Sequence, residues 1–521
     1  MEPRAVNKWL VTASVMIPTM IEILDTSVAN VSLTHIQGSL SAGQEEVTWV
    51  LTSYLVANAV VIPMSGWLAR LMGRKRYLLA SLIVFTVSSL LCGTASSLPE
   101  LLFFRVIQGI GGGGLQPISM AILLETFPPN QRGLAMGVYG MGAVMGPIMG
   151  PLLGGYLTNA YSWRWIFYIN LPIGILALFM ITGFVFDPEY HQRRSKGERV
   201  DYAGLVLLCL GIGCLQIVLD KGQLEDWFNS NFILVLSGMS VASLVGLVFW
   251  ELRHKHPVLD LRVFKDRSFA SGCTVMFLGF FAFFGSIVLL PLYLQTLMGY
   301  DAFLAGLVLG PGGAITIVIL PLVGRMTEKI DARLLLAVGL LVNAYSVYYM
   351  SGFNLHMDFS AAVIGRLIQG VGMPFFFVSL TFVTMAYVSR EQMNNASALF
   401  NLLRNLGGSC GVAFVTTLLA RRSQFHQARL AEHLSVFDPG FSIRLEELKN
   451  ALAAKLGAYA DLQDMALDTI YNMLRREAAA MAYYDAFYSQ MVMFLFLTGL
   501  VWVIRKPPGD GRRRPAKAPG K

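Results

Sequence analysis

Arg105-Val106-Ile107-Gln108-Gly109-Ile110-Gly111 sets a guanidinium about a turn into a long apolar run. Further on, Gly142, Gly146, Gly150 and Gly154 recur at every fourth position, with Pro147 and Pro151 between them. An ionisable group at membrane depth is costly and marks a functional site by default. Glycine at every fourth residue lets helix backbones approach closely in lipid. The surrounding stretch, Gly66 to Gly155, therefore reads as part of a helical membrane bundle, with a charge in one helix and a packing seam in the next.

Composition agrees. The 521 residues are 55% hydrophobic and only 14% charged, against about 25% charged in a soluble domain. The apolar residues form long runs, many exceeding the roughly 18 residues of a spanning helix. A β-barrel would show alternating segments of about ten residues instead. A secretory signal is not expected, because the apolar run Trp9–Leu33 is too long and contains Glu22 and Asp25. The net charge of +8 does not point to nucleic acid. The basic residues sit in short loops and in the tail Arg512-Arg513-Arg514, the pattern that fixes membrane orientation. Cys92, Cys209, Cys214, Cys273 and Cys410 all lie inside apolar runs and read as buried thiols without a disulfide framework.

The runs give an all-α polytopic membrane protein of about fourteen spans. Basic loops at Arg70–Arg76, Arg193–Arg199 and Arg253–Arg267 place both termini in the cytoplasm. The expected divisions are 1–186, a six-helix half; 187–267, two inserted helices with basic linkers; 268–505, a second six-helix half; and 506–521, a basic tail. One outer segment, 421–487, is long and charged. Within it, Leu445, Leu448, Leu452, Leu456, Tyr459, Leu462, Ala466, Ile470 and Met473 fall at helical spacing, which predicts one amphipathic helix over Leu445–Met473. Such a helix either lies on the bilayer or on its own protein, or docks an extracytoplasmic partner.

The chain also repeats itself. Arg105-Val106-Ile107-Gln108-Gly109-Ile110-Gly111 recurs as Arg366-Leu367-Ile368-Gln369-Gly370-Val371-Gly372, Gln131 aligns with Gln392, and Gly146 with Gly407. Gly66 aligns with Gly324 after a small slip. Parallel halves of this kind place a substrate site at their interface, near the bilayer midplane.

These residues resemble the major facilitator superfamily and, within it, the fourteen-span drug:proton antiporter branch, the EmrB/QacA group. The loop motif is matched by Gly66, Leu68, Ala69, Gly73, Arg74 and Lys75, and the fourth-helix motif by Arg105, Gln108, Gly109 and Gly111. The antiporter motif is approximated by Gly142, Gly146, Pro147, Gly150 and Gly154-Gly155, and the first-helix motif by Leu24, Asp25, Asn30, Val31 and Leu33. The outer loop starting Arg421-Arg422-Ser423-Gln424-Phe425-His426 looks like EmrB rather than QacA. The resemblance implies proton-coupled multidrug efflux and antibiotic resistance from a bacterial inner membrane. It also implies a periplasmic adaptor (EmrA-like) and an outer-membrane channel (TolC-like) as partners through loop 421–487. Two departures stand out: Arg70 occupies the loop motif's acidic position, with an acid surviving only in the repeat copy as Glu328, and Thr34 replaces the first-helix proline.

A proton-driven exporter needs a carboxylate that alternates between charged and neutral. Glu22 and Asp25 lie three residues apart on one helical face, and burial and proximity make joint ionisation costly. Asp25, Arg105 and Glu22 are the expected proton-coupling residues, against a purely structural ion pair. Asp25, Asn30, Gln108 and Gln369 are candidates for substrate binding, since a cationic drug would compete with a proton for the same carboxylate. Gly142, Gly146, Pro147, Gly150 and Gly154 form the packing stripe, read as a seal against proton leak. Gly66, Arg70, Gly73, Arg74 and Glu328 form the gating loop. Arg366 and Arg404 are expected to anchor on backbone carbonyls, and Glu125 to be interfacial. Met276–Phe284 and Met373–Phe377 read as lipid-facing or core packing, against the alternative that their soft and aromatic groups line a drug cavity. Gly109-Ile110-Gly111-Gly112-Gly113-Gly114 fits a dinucleotide pattern, but no strand precedes it. His254-Lys255-His256 offers too few ligands for a metal. No nucleophile–base set or phosphate-binding loop is present, so neither an enzyme nor ATP-driven transport is expected, and no cofactor beyond the proton gradient. Alternatives are an exporter dedicated to one metabolite, lipid or siderophore, and a non-transporting scaffold or sensor.

Overall fold

A computed structural model describes residues 7–128, 131–187, 201–254, 257–432, 434–435, 437–456 and 461–506. The basic loop Arg193–Arg199, the tail 506–521 beyond Lys506, Tyr459, most of His254-Lys255-His256 and the side chain of Pro147 fall outside the described residues. The helices run α1 Lys8–Val31, α2 Gln44–Met72, α3 Arg74–Thr94, α4 Leu98–Thr126, α5 Arg132–Ala160, α6 Trp165–Phe184, α7 Tyr202–Lys221 and α8 Asn231–Arg253. They continue as α9 Arg267–Thr296, α10 Ala302–Met326, α11 Ala332–Ser351, α12 Phe359–Met385, α13 Met393–Ala431, α14 Pro439–Leu456 and α15 Leu462–Leu500.

Thirteen of these are long and apolar enough to cross a membrane. The 29-residue α5 packs between α1 and α10. Aspartates start several spans: Asp201, Asp266, Asp301 and Asp331 each accept a hydrogen bond from a first-turn backbone N–H. Such caps satisfy donors that the helix cannot pair internally.

Helix contacts repeat in register. α1 packs on α5 as α9 packs on α13, α2 on α4 as α10 on α12, and α3 on α4 as α11 on α12. The halves then meet through α2 with α13 and α10 with α5. At the basic end both meetings are backbone against backbone. A Cβ at Gly66 would stand 3.0 Å from the Asn395 Cα, and one at Gly324 would stand 2.8 Å from the Leu134 Cα. That end of the bundle is closed.

The inserted pair lies along the α2–α13 side. Gln216 donates to Ser409 (3.0 Å), Trp227 donates to Thr417 (3.0 Å), and the Lys221 ammonium reaches Thr48. α8 turns Val235, Val241, Val245 and Phe249 outward.

The outer segment corrects the expectation of one amphipathic helix. α13 continues to Ala431, and α15 already begins at Leu462, so both spans extend as long rods. A separate α14 packs on α15 with Leu445, Leu448 and Leu452 half-buried. On α15, Ala466, Ile470, Leu474 and Ala478 are buried, but Met473 is exposed. The apolar stripe is legible in the sequence; the fresh helix start at Leu462, capped by Asp461, is not, because helical spacing carries across a break. Asp485 fastens the extensions together, 2.6 Å from both Arg422 Nε and His426 Nε2.

Cys92, Cys214 and Cys273 are buried as expected, whereas Cys209 faces outward. Of the expected packing residues, Met276, Phe280, Phe283, Phe376 and Phe377 are buried and Phe284 is exposed.

Candidate functional site

The site is built where α1, α2, α3, α4 and α6 converge. α4 is interrupted: Leu98–Gly112 and Leu115–Thr126 are separate helical segments joined at Gly113-Gly114. Gly109 presses on the α2 backbone at Tyr54, and Gly111 on the α3 backbone at Phe85. Those close approaches carry Arg105 and Gln108 into the interior, and they account for the glycine run that imitates a nucleotide loop.

Arg105 is fully buried and Asp25 nearly so. Arg105 Nη1 stands 2.6 Å from Asp25 Oδ2 and donates to Gln108 Oε1 (2.7 Å), while its Nε donates to the Val50 carbonyl (3.0 Å). The guanidinium also lies over the Tyr54 ring at 4.4 Å. Asp25 Oδ1 accepts from Gln108 Nε2 (2.9 Å) and Asn170 Nδ2 (2.8 Å). Asn170 is itself placed by Ser89 (2.9 Å), which donates to the Phe167 carbonyl (2.9 Å). Taking two charges out of water is favourable only with good geometry and further hydrogen bonds. Asp25 Oδ1 has them from two amides, Oδ2 is held by Arg105 alone, and Arg105 Nη2 has no hydrogen-bond partner among the described residues.

Glu22 sits in a second, adjoining network. Its Oε1 accepts from Tyr54 Oη (3.3 Å) and Asn58 Nδ2 (3.0 Å). Its Oε2 accepts from Gln116 Nε2, and Gln116 Oε1 accepts from Arg404 Nη2 of the second half. Tyr54 touches both networks, with its hydroxyl on Glu22 and its ring under Arg105.

Of the expected site residues, Asp25, Arg105 and Gln108 come together, with Glu22 beside them. Asn30 does not join them; it is exposed near the end of α1. Gln369 lies in the second half, accepting from Arg366 and donating to Ser286 Oγ (2.7 Å). Ser286 occupies the place of Asp25 in the register that pairs Arg105 with Arg366, so the second half keeps the arrangement without its acid. Arg366 and Arg404 therefore bind glutamine side chains, not the backbone carbonyls expected. Arg105, the first-half counterpart of Arg366, does reach a backbone carbonyl, that of Val50. Tyr54, Asn58, Gln116 and Asn170 were missed; their signal is a polar side chain inside an apolar run.

At the basic end, Arg70 Nη2 donates to the Pro257 carbonyl (3.2 Å), binding α2 to the linker into the second half. Arg74 pairs with Glu125 at 2.9 Å, with both side chains buried. Asp187, after α6, accepts from the Lys75 backbone N–H (2.8 Å) at the start of α3, next to Gly73 at φ +85°. Glu328 is exposed in the turn after α10. The glycine stripe of α5 packs on α1: Gly142 on Met16, Gly146 on Ile23, Gly150 on Ser27 and Gly154 on Val28.

Residues 15–412 match the family model for the Major Facilitator Superfamily. The chain is 37% identical to the multidrug export protein EmrB of Escherichia coli K12, over 96% of both chains. It is also 37% identical to the fatty acid resistance protein FarB of Neisseria gonorrhoeae, over 96% of this chain and 97% of that one. The proton:xylose symporter XylE shares the fold, with a TM-score of 0.61 at 15% identity over 96% of this chain and 97% of its own. A multi-pass bundle of repeated halves, a family match across most of its length and full-length relatives agree: the chain belongs to the major facilitator superfamily, in its EmrB/QacA branch.

Proposed function

We propose that this protein exports multiple drugs by proton-coupled alternating access, as the inner-membrane component of a tripartite bacterial exporter. The observation that carries the reading is the buried Asp25–Arg105 pair in its cradle of amides. A scaffold gains nothing from charges at that depth, whereas a carrier needs a carboxylate whose protonation changes which conformation is stable. The names of the full-length relatives, multidrug export and fatty acid resistance, support efflux. The basic end is assigned to the cytoplasm, which leaves the long α13 and α15 extensions and α14 outside. Protons moving inward supply the energy; no cofactor and no enzymatic step are required. Asp25, Arg105 and Glu22 form the coupling centre, with Gln108 orienting Asp25.

In inverted proteoliposomes, an acidic lumen drives accumulation of a fluorescent cationic drug. A protonophore abolishes that accumulation, and flux that ignores the protonophore refutes proton coupling. For the partner, excising 439–456 and joining the ends by a short flexible linker eliminates co-purification of a periplasmic adaptor while leaving proteoliposome flux intact. Undiminished co-purification assigns α14 to intramolecular packing alone. A second reading, an exporter dedicated to one lipid-like acid, draws on the likeness to the fatty acid resistance protein. In that case only such acids, in a panel of drugs, dissipate the gradient.

A further inference from the structure

Among the described residues Glu22 meets no cation directly, yet one amide separates it from the second half. Gln116 donates from Nε2 to Glu22 and accepts at Oε1 from Arg404. We infer that Arg404 is a positioning residue of the transport cycle: through Gln116 it holds the ionised Glu22 of the first half to the second half, and protonation of Glu22 releases that hold so that the basic end opens. The inference rests on the proton-coupled reading above and adds to it the means by which a proton reaches the interface between the halves.

Three observations support it. The first is directional. A glutamine amide has one accepting end and one donating end. While Glu22 is a carboxylate it fixes the NH₂ end of Gln116, so the carbonyl must face Arg404. A neutral carboxyl brings a donor of its own and no charge, and both reasons for that orientation weaken.

The second is charge balance. Arg404 is only 8% exposed and makes no salt bridge among the described residues. Its guanidinium lies 5.9 Å from the Phe280 ring, and Phe280 packs on Phe376 and Phe377, the latter stacked on Tyr139. In that aromatic setting Glu22 is the counter-charge one amide away. The groups facing Glu22 are Tyr54 and Asn58 from α2, Gln116 from α4, Arg404 from α13 and Tyr139 from α5, with the Asp25–Arg105 pair beyond Tyr54. Among the described residues, Arg404 is the one cation touching this network that comes from the opposite half.

The third is location. The same α13 carries Asn394-Asn395, which close on Gly66, and Asn401, whose Nδ2 lies 3.3 Å from Met120 Sδ on α4. Holding Arg404 in place therefore holds shut the end that is closed here. In the repeat register Gln116 falls opposite Phe377 and Arg404 opposite Ala143. The contact has no symmetric copy, so a proton on one carboxylate biases the whole interface.

The test is a distance measured across the basic end. Spin labels at Met72 and Lys329, in a functional background with the native cysteines replaced, report the open and closed populations at pH 8 and pH 5.5. The unsubstituted side chains give an open fraction that rises on acidification by roughly tenfold in open-to-closed ratio. Glu22→Gln gives the acid-like ratio at both pH values. Arg404→Gln loses the pH response in the same way, Arg404→Lys recovers part of it, and Gln116→Leu, on the other half, repeats the loss. If Glu22→Gln removes the response but Arg404→Gln and Gln116→Leu keep it, the hold through Arg404 is wrong and the proton reading stands. If Glu22→Gln itself keeps the response, Glu22 is not a coupling residue.

Discussion

Asp25→Asn abolishes pH-gradient-driven efflux in proteoliposomes, and it does so for two separable reasons. The amide cannot cycle between charged and neutral, so the proton step is gone. It also leaves Arg105 fully buried without its carboxylate. Breaking a buried pair by removing one partner costs roughly 3–5 kcal/mol, because the remaining charge is uncompensated. The single variant should therefore melt well below the parent in detergent as well as fail to transport. Asp25→Asn combined with Arg105→Gln separates the two effects. A neutral pair can share hydrogen bonds with Gln108 and Asn170 and regain most of the lost stability, since replacing a buried ion pair whole is often neutral. Transport stays at the background of empty liposomes. Recovery of flux in the double variant would show that the pair serves only to hold the fold.

That test bears on what could be read from the chain. Arg105 and Asp25 were recognisable because charges in apolar runs are rare enough to notice, and the repeat made the fourth helix stand out. Their pairing was a reasonable expectation within one half. The position of Glu22 was not. Three residues from Asp25, it shares a helical face in sequence terms, which suggested two carboxylates acting on each other. In the bundle one turn of helix is enough to point Asp25 at Arg105 and Glu22 at Gln116 and, beyond it, Arg404. No local pattern joins Gln116 to Arg404, which are 288 residues apart, and their contact breaks the repeat symmetry.

Two further features follow the same logic. Arg70 is anomalous by motif but ordinary by contact: it reaches the Pro257 carbonyl, while Asp187 supplies an acid beside Gly73 and the start of α3. An acid displaced along the chain can occupy the same region of space, and a motif cannot register that. Ser286 is the converse. It was present in the repeat register all along, and it explains why the second half is acid-poor: the hydrogen bond from Gln369 survives at 2.7 Å with a hydroxyl as acceptor.

Gly150→Leu is expected to make the protein leak protons. The α5 stripe packs against α1, the helix that carries both Glu22 and Asp25, and a Cβ at Gly150 would overlap the Ser27 side chain and stand 3.2 Å from its carbonyl carbon. A leucine there must push α1 away from α5. Overpacking of this kind costs typically about 1–3 kcal/mol, enough to lower the melting temperature without preventing folding. The separation admits water beside Glu22 and Asp25, and a proton that reaches them without substrate returns no work. Liposomes holding a pH-sensitive dye should then lose an imposed gradient faster in the absence of drug, and drug accumulated per unit of gradient should fall. Gly155→Leu is the control, because a side chain at Gly155 meets open space; it adds the same bulk to the same helix without touching α1. Equal leak and equal accumulation in the two variants would reduce the stripe to packing alone. A leak confined to Gly150→Leu makes the α1–α5 seam part of the coupling machinery: close glycine packing would be what keeps a costly buried charge dry.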